Sequence, residues 1–298
     1  MAMTITAKPD SHYTATWANG HGAVEYFHRS DGSRLRYFRG GNGPAVVLLH
    51  TVRTQLDYFQ RVIPKLWNHF TVYALDLPGM GWSDIVAGSV YDATSLRAAV
   101  VEFVSQLDAG EITLAGESLG AALSLGTAPE LPHRLRRVVA FNSYDYPEGL
   151  ERGNWVAKLI GSSMRMPVYG PLFASMESRP ILAAILRGGF VDPKRLPMDF
   201  VRELRRSGKR AGYPKVARAI ARSLNGFIEQ RQRYSDIAVP VTLIYSEHDW
   251  SRPTERRYVE QLVPNTETIT LPNTGHFSAL ERPADMARIL LQTRLQHN

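Results

Sequence analysis

The chain has 298 residues and no cysteine. This absence excludes disulfide bonds, thiolate metal sites and a cysteine nucleophile, and it fits a reducing compartment. No run of about 18 apolar residues occurs, so we expect no transmembrane segment. Residues 1–31 lack the apolar core that is typical of a secretory signal peptide. From these absences we expect a cytoplasmic protein.

Acidic residues are scarce in one part of the chain. Residues 147–235 contain 17 Lys and Arg against 7 Asp and Glu, a net charge of +10, while the remainder carries −3. This charge does not coincide with aromatic platforms or a nucleic-acid-binding motif, so we expect no nucleic-acid partner. The basic segment is interpreted either as a solvated helical surface or as a surface that attracts an anionic substrate.

Strand and helix patterns alternate along most of the chain. Short strands are predicted at 24–28, 35–39, 45–49, 71–75, 112–115, 138–141, 239–245 and 267–271, and helices at 58–67, 96–107, 254–262 and 283–295. Residues 147–235 show only helical patterns broken by Gly and Pro. The alternation predicts an α/β fold, a mostly parallel sheet with helices on both faces and an inserted helical lid.

Three segments follow from this pattern. Residues 1–146 form the first part of the core and begin with a loose arm at 1–22, residues 147–235 form the lid, and residues 236–298 complete the core. We expect some of the lid's apolar side chains to roof a pocket. The candidates are Trp155, Leu159, Ile160, Met164, Met166, Phe173, Met176, Ile181, Leu182 and Ile185.

The sequence Gly116-Glu117-Ser118-Leu119-Gly120 follows an apolar strand and precedes a helix rich in small residues. A sharp turn from strand to helix exposes a serine hydroxyl at its apex, and the flanking glycines leave room for the backbone. We therefore interpret Ser118 as a nucleophile.

A serine nucleophile needs a base, and the base needs an acid that orients it. His276 follows the last strand and Asp249 the strand before it, which gives the order nucleophile, acid, base. Glu247 and Asp145 remain alternative acids. Asp249 also has the structural interpretation of a turn-capping residue.

Acyl transfer also requires two donors for the developing oxyanion. The backbone N–H of Leu119 is expected to supply one, because it opens a helix. The second is expected from Val52, with Thr51 as the alternative. Arg53 next to them either pairs with Asp57 or faces the pocket and binds a carboxylate.

Together these residues resemble the α/β-hydrolase superfamily, in particular its lidded, esterase-like serine-hydrolase branch. The resemblance extends from about residue 24 to 295. It rests on His50, on the stretch from Asp76 to Ser83, on the turn around Ser118, on Asp249 and on Gly275-His276. The resemblance implies an eight-stranded sheet, a Ser-His-Asp triad and no cofactor.

Thr51 and Arg53 depart from most relatives. His50 is followed by Thr51 rather than by glycine, and this pair with Gly-Glu-Ser resembles plant hydroxynitrile lyases. Those enzymes carry lysine directly after the catalytic histidine, where this chain has Phe277. Serine at 118 also differs from the aspartate of haloalkane dehalogenases and epoxide hydrolases. The candidate substrate-binding residues are Thr51, Arg53, Glu117 and Phe277.

The favoured function is hydrolysis of a small or medium carboxylic ester, thioester or lactone through an acyl-enzyme on Ser118. The alternative is a non-hydrolytic member of the fold, a lyase-like or cyclising enzyme or a ligand-binding protein. The expected partner is a small ester-like molecule, and an anionic one is a further hypothesis. The sequence indicates no oligomeric state.

Overall fold

The computed structural model describes residues 4–5, 12–175 and 177–295. Its main sheet has eight strands: β1 (Gly22–His28), β2 (Arg34–Gly41), β3 (Ala45–Leu49), β4 (Thr71–Leu75), β5 (Ile112–Glu117), β6 (Leu135–Phe141), β7 (Val241–Ser246) and β8 (Thr266–Leu271). Their order across the sheet is β8-β7-β6-β5-β3-β4-β2-β1. Strand β2 runs antiparallel to both its neighbours, and the other pairings are parallel. The predicted mostly parallel α/β sheet is confirmed. A separate short antiparallel pair joins Thr4–Ile5 to Ile85–Val86.

The central strands are buried on both faces. Every residue of β3 and β5 is buried, as expected for parallel strands covered by helices on each side. Because successive side chains point to opposite faces, Val46 and Leu48 enter one core while Val47 and Leu49 enter the other. The two cores hold the carboxyl ends of these strands at one edge of the sheet.

Eleven helices are present in the described residues. They are α1 (Tyr13–Ala18), α2 (Ala93–Gln106), α3 (Leu119–Thr127), α4 (Trp155–Arg165), α5 (Gly170–Ser175), α6 (Arg179–Arg187), α7 (Met198–Ser207), α8 (Tyr213–Glu229), α9 (Pro253–Leu262), α10 (Ser278–Glu281) and α11 (Pro283–Leu295). Helices α2, α3 and α9 pack on one face of the sheet, and α10 and α11 on the other. We call α4–α8, which lie between β6 and β7, the helical insertion. None of the described helices combines the length and apolar character needed to span a membrane.

Two local predictions were wrong. The helix expected at 58–67 is replaced by two short 3-10 turns, Leu56–Phe59 and Ile63–Lys65, because Pro64 lacks the N–H that would continue a helix. The arm at 1–22 contains helix α1, which is fixed where Thr14 and Trp17 donate hydrogen bonds to the buried carboxylate of Asp57. The rest of the arm before His12, apart from Thr4–Ile5, lies outside the described residues.

Candidate active site

The turn between β5 and α3 places Ser118 at a sharp reversal of the chain. Ser118 has φ +59° and ψ −118°, a conformation that a non-glycine residue rarely adopts. A Cβ on Gly116 would lie 2.3 Å from the carbonyl oxygen of Gly120, and a Cβ on Gly120 would lie 2.1 Å from that of Leu49. Both glycines are therefore required, because the turn closes on itself and on the end of β3.

Three predicted residues meet at this turn. His276 Nε2 lies 2.8 Å from Ser118 Oγ, and His276 Nδ1 lies 2.5 Å from Asp249 Oδ1. The neutral tautomer that fits both contacts carries its proton on Nδ1, which donates to Asp249, and leaves Nε2 to accept from the serine hydroxyl. Ser118 and His276 are fully buried.

The surroundings of Asp249 favour its ionised form. Burial alone would favour the neutral acid. The neighbouring His276 and hydrogen bonds from His276 and Ser251 outweigh burial and lower the pKa of Asp249 below its ordinary value. The backbone N–H of Ser251 donates to Asp249 Oδ2 at 3.0 Å. An ionised carboxylate thus faces the imidazole.

The two alternative acids lie elsewhere. Asp145 is buried and accepts hydrogen bonds from Ser143 and Tyr234 at 2.8 and 3.0 Å. Burial raises the pKa of Asp145 to about 6, although Ser143 and Tyr234 oppose the shift. Glu247 is exposed and accepts from the backbone N–H of Asn273. Neither hydrogen-bonds to His276.

Two further contacts of His276 were not expected from the sequence. The Trp250 ring stacks on the imidazole with centroids 3.8 Å apart and an interplanar angle of 13°. Asn142 Nδ2 donates to the carbonyl oxygen of His276 at 2.9 Å. Trp250 directly follows the candidate acid, so its position was a signal that could have been used. Asn142 is 134 positions away along the chain, and no local pattern relates the two.

Glu117, a candidate substrate-binding residue, is buried and does not border the cavity described below. It is fully buried, and its carboxylate accepts hydrogen bonds from Tyr58, from the hydroxyl and backbone N–H of Ser278, and from the N–H of Ala279. Burial raises the pKa of Glu117 against these donors. Because Ser278 and Ala279 directly follow the histidine loop, Glu117 instead fixes the backbone after His276.

The loop after β3 lies against the start of α3. Thr51 and Val52 border the cavity described below. As the first residue of α3, Leu119 has a backbone N–H without an intrahelical acceptor. The start of α3 approaches the end of β3 so closely that only glycine fits at position 120. The loop after β3 therefore lies next to the first residues of α3.

Arg53 does not pair with Asp57, so that expectation was wrong. Its Nε donates to Glu177 Oε2 at 2.6 Å, its Nη2 donates to the carbonyl oxygen of Leu204 at 3.0 Å, and the guanidinium lies 4.7 Å from the Tyr213 ring centroid. Asp57 binds Arg36 instead. Arg53 does border the cavity, but its charge is compensated by Glu177, which disfavours its predicted use as a carboxylate clamp.

A cavity of about 1320 Å³, including its open mouth, lies between the insertion and the carboxyl edge of the sheet. Trp250 and Phe277, whose rings contact His276, border it. The predicted apolar residues that line it are Ile160, Met164, Phe173, Ile181, Leu182 and Ile185. Trp155, Leu159 and Met166 are exposed on the outside instead, and Met176 lies outside the described residues.

Few polar groups face this cavity with unused hydrogen-bonding capacity. Among the described residues that line the cavity, Thr51 Oγ, Arg53 Nη1 and both carboxylate oxygens of Glu151 are buried and lack a hydrogen-bond partner, and Glu151 forms an ion pair with Arg165. Thr51 and Arg53 border the cavity on the side of the loop after β3. The cavity is therefore a mainly apolar space with unpaired donors near the candidate oxyanion site, an arrangement that suits an apolar molecule bearing an oxygen acceptor.

Known proteins resemble this chain over most of its length. A family model described as the alpha/beta hydrolase family matches residues 46–289. Haloalkane dehalogenase 2 of Mycobacterium tuberculosis is 26% identical over 281 residues, which cover 88% of this chain and 92% of that protein.

Solved structures are similar over most of the chain. Cfl2 from Burkholderia cenocepacia superposes with a TM-score of 0.78 at 22% identity, covering 91% of this chain and 95% of that one. A serine hydrolase involved in carbazole degradation gives a TM-score of 0.73 at 18% identity, covering 91% and 98%. At such identities the structural likeness concerns the fold.

Proposed function

The chain belongs to the alpha/beta hydrolase family, and on this premise we propose that it is a serine hydrolase that cleaves carboxylic esters through an acyl-enzyme on Ser118. The hydrogen-bonded series from Ser118 through His276 to Asp249, at 2.8 and 2.5 Å, is the observation that carries the proposal. A serine hydroxyl in this arrangement is the nucleophile of acyl transfer.

Each member of the series has a defined role in this mechanism. Ser118 Oγ attacks the ester carbonyl carbon while His276 Nε2 takes the hydroxyl proton. The tetrahedral intermediate collapses, and the imidazolium returns the proton to the departing alcohol. Water, deprotonated by His276, then attacks the acyl carbon and releases the acid. Asp249 remains ionised throughout, keeps the imidazole oriented and stabilises its charged form.

The oxyanion is stabilised by two backbone N–H groups in this proposal. Leu119 supplies one from the start of α3, where the helix dipole also favours negative charge. Val52 supplies the other from the loop after β3. The unpaired hydroxyl of Thr51 supports a further polar contact in the same place.

We assign the substrate to esters with an apolar acyl or alcohol group of small or medium size. The apolar side chains of the insertion that line the cavity support this class, because such a site gains affinity by excluding water from apolar surface. Since Ser118 and His276 are fully buried, residues 147–235 act as a lid that opens to admit substrate. Esters, thioesters and lactones all fit this chemistry, and a cofactor takes no part in it.

A fluorophosphonate probe tests the nucleophile directly. The probe should label the wild-type chain at Ser118, and a p-nitrophenyl ester should give a burst of p-nitrophenol followed by steady turnover. Ser118→Ala should abolish labelling and lower turnover by about 10³-fold or more without loss of fold, as checked by circular dichroism. Ser124→Ala is a matched control, because Ser124 is a buried serine of α3 that bonds only within its helix. Unchanged turnover in Ser118→Ala would refute the proposal.

A lyase-like activity is the second candidate. The buried, unpaired Thr51 hydroxyl at the cavity favours it, because a hydroxyl there could bind the oxygen of a cyanohydrin. Phe277 stands where the hydroxynitrile lyases carry lysine. Release of cyanide from an aromatic cyanohydrin, lost in Thr51→Ala, would support the lyase over the esterase.

A further inference from the structure

Helix α4 is apolar on two opposite sides. Its inward side, with Ile160, Gly161 and Met164, lines the cavity. Its outward side carries Trp155 and Leu159, which are 76% and 53% exposed. A surface helix ordinarily turns a polar face to water. A second apolar face therefore indicates contact with something outside the molecule.

The exposed apolar surface continues from α4 into α5, which packs beside it. Among the described residues, eleven large apolar side chains are exposed, and six of them fall within 18 consecutive positions. We call these six the α4–α5 patch: Trp155, Leu159, Met166, Val168, Tyr169 and Leu172. Single exposed apolar residues are common on proteins, but a cluster of this size marks an interaction surface.

The charge at the patch has one sign. Residues 155–175 contain Lys158 and Arg165, both exposed, and no Asp or Glu. Arg218 of α8 donates to the carbonyl oxygens of the turn at 166–167, at 3.1 and 3.2 Å, and adds a third cation there. The surface thus combines apolar side chains with cations.

We propose that the α4–α5 patch docks on the surface of an anionic lipid assembly. Trp155 and Tyr169 have rings with an apolar body and a polar edge, which suits the boundary between headgroups and acyl chains. The aliphatic side chains enter that boundary, while Lys158 and Arg165 meet anionic headgroups. This docking depends on the surface alone and does not require that the chain be an esterase.

A second copy of the chain fits the patch less well. A two-fold interface through the patch would bring the Lys158 and Arg165 side chains of both copies into one contact region, and like charges at an interface are unfavourable. Arg165 is partly compensated by its ion pair with Glu151. Lys158 forms no ion pair with a described residue, so its repulsion would be uncompensated. Anionic headgroups meet both cations favourably.

The test is cosedimentation of the full chain with vesicles of phosphatidylcholine, with and without phosphatidylglycerol. Only the anionic vesicles should bind the protein strongly, and salt should weaken binding. The double variant Trp155→Ser/Val168→Ser should lower affinity by about tenfold or more. Lys158→Glu should lower it by about fivefold or more. These side chains are exposed, so folding should be unaffected, and thermal unfolding checks this.

Two matched controls separate the patch from general attraction by the positive chain. Val90 is 64% exposed outside the insertion, and Lys65 is an exposed cation of the core. Val90→Ser and Lys65→Glu should leave affinity within about twofold. Brominated acyl chains should also quench tryptophan emission in the wild type, and Trp155→Phe should remove most of that quenching.

Several results would overturn the proposal. One is absence of binding to anionic vesicles at low salt, and another is an equal loss of affinity in Lys65→Glu and Lys158→Glu. A dimer in sedimentation that dissociates in Trp155→Ser/Val168→Ser would assign the patch to a second copy. Binding of polyglutamate with the same variant dependence, without vesicle binding, would assign it to an acidic protein.

Discussion

At the scale of single residues, the two candidate acids differ in the direction that their carboxylates take in the loop after each strand. Asp145 follows β6 and Asp249 follows the neighbouring β7. Asp145 turns back to bond Ser143 and Tyr234, whereas Asp249 faces His276. Both are buried carboxylates a few positions beyond a strand, so sequence spacing alone leaves them as alternatives.

Asp249→Asn should lower turnover by roughly 10³–10⁴-fold, because an amide favours the wrong imidazole tautomer. Asp145→Asn should change turnover by no more than about threefold. Steady-state hydrolysis of one p-nitrophenyl ester by both variants measures the difference. The reverse ranking would assign the acid to Asp145.

Asp145 should also affect stability in a pH-dependent way. Its pKa is raised from 3.8 to about 6 in the folded chain, so between these values the folded state binds more protons than the unfolded state. The free energy of unfolding should therefore fall as pH rises through this window. The two-unit shift corresponds to about 3 kcal/mol.

Asp145→Asn keeps an acceptor for Ser143 and Tyr234 and removes the titration. Relative to wild type, its free energy of unfolding in urea should increase by up to about 3 kcal/mol from pH 4 to pH 7. Parallel pH profiles for the two proteins would show that Asp145 does not titrate in this range.

At the scale of elements, Arg53 links the loop after β3 to the insertion. It has φ +62°, binds Glu177 between α5 and α6, and bonds the backbone of α7 at Leu204. A Cβ on Gly208 would lie 2.3 Å from its Nη2, so the end of α7 also depends on this contact. In the proposed mechanism, Arg53 positions the backbone of Val52.

Glu177→Gln should therefore lower kcat by about tenfold and change KM by less. The loss in kcat should be smaller than the loss caused by removing an oxyanion donor. The control is Glu102→Gln, which weakens the similarly half-buried Arg29–Glu102 pair away from the site. Steady-state kinetics of both variants provide the test. Equal kcat values would mean that the Arg53–Glu177 pair has no positioning role.

The elements differ in how far their sequence predicts them. The turn around Ser118 was predictable because its glycines lie within two residues of the serine. The Arg53–Glu177 pair spans 124 positions, so no local pattern could reveal it. Residues 58–67 were predicted as helix because buried side chains of short turns imitate helical spacing. Trp155 and Leu159 were predicted to roof a pocket because periodicity does not distinguish the two sides of an apolar helix.

At the scale of the whole molecule, the positive charge of residues 147–235 predicts a salt-dependent preference for anionic substrates. The net +10 of residues 147–235 attracts anions over a distance even though Arg53 is compensated by Glu177. If steering operates, kcat/KM for a carboxylate-bearing ester should fall as salt rises, because exposed charges are screened beyond about 8–10 Å. A neutral ester of the same size is the control, and an equal salt response for both would reject steering.

Access to the site is a property of the whole molecule as well. Ser118 and His276 are fully buried, and in the proposed mechanism the insertion moves relative to the sheet to admit a substrate. The contacts that hold it closed at the loop after β3 include the half-buried ion pair of Arg53 with Glu177, whereas β5 is held by parallel partners on both sides. Local opening costs the least free energy where few buried contacts break.

Backbone amides of residues 150–230 should therefore exchange hydrogen faster than those of residues 112–125. Glu177→Gln should accelerate exchange in the insertion and leave exchange in the sheet unchanged. A bulky fluorophosphonate that fills the cavity should slow exchange in the insertion, because bound ligand stabilises the closed state. Hydrogen exchange followed by mass spectrometry resolves both segments. Equal protection of the two segments in the unlabelled chain would mean that the insertion does not open as a unit, and that substrate enters through the existing mouth of the cavity.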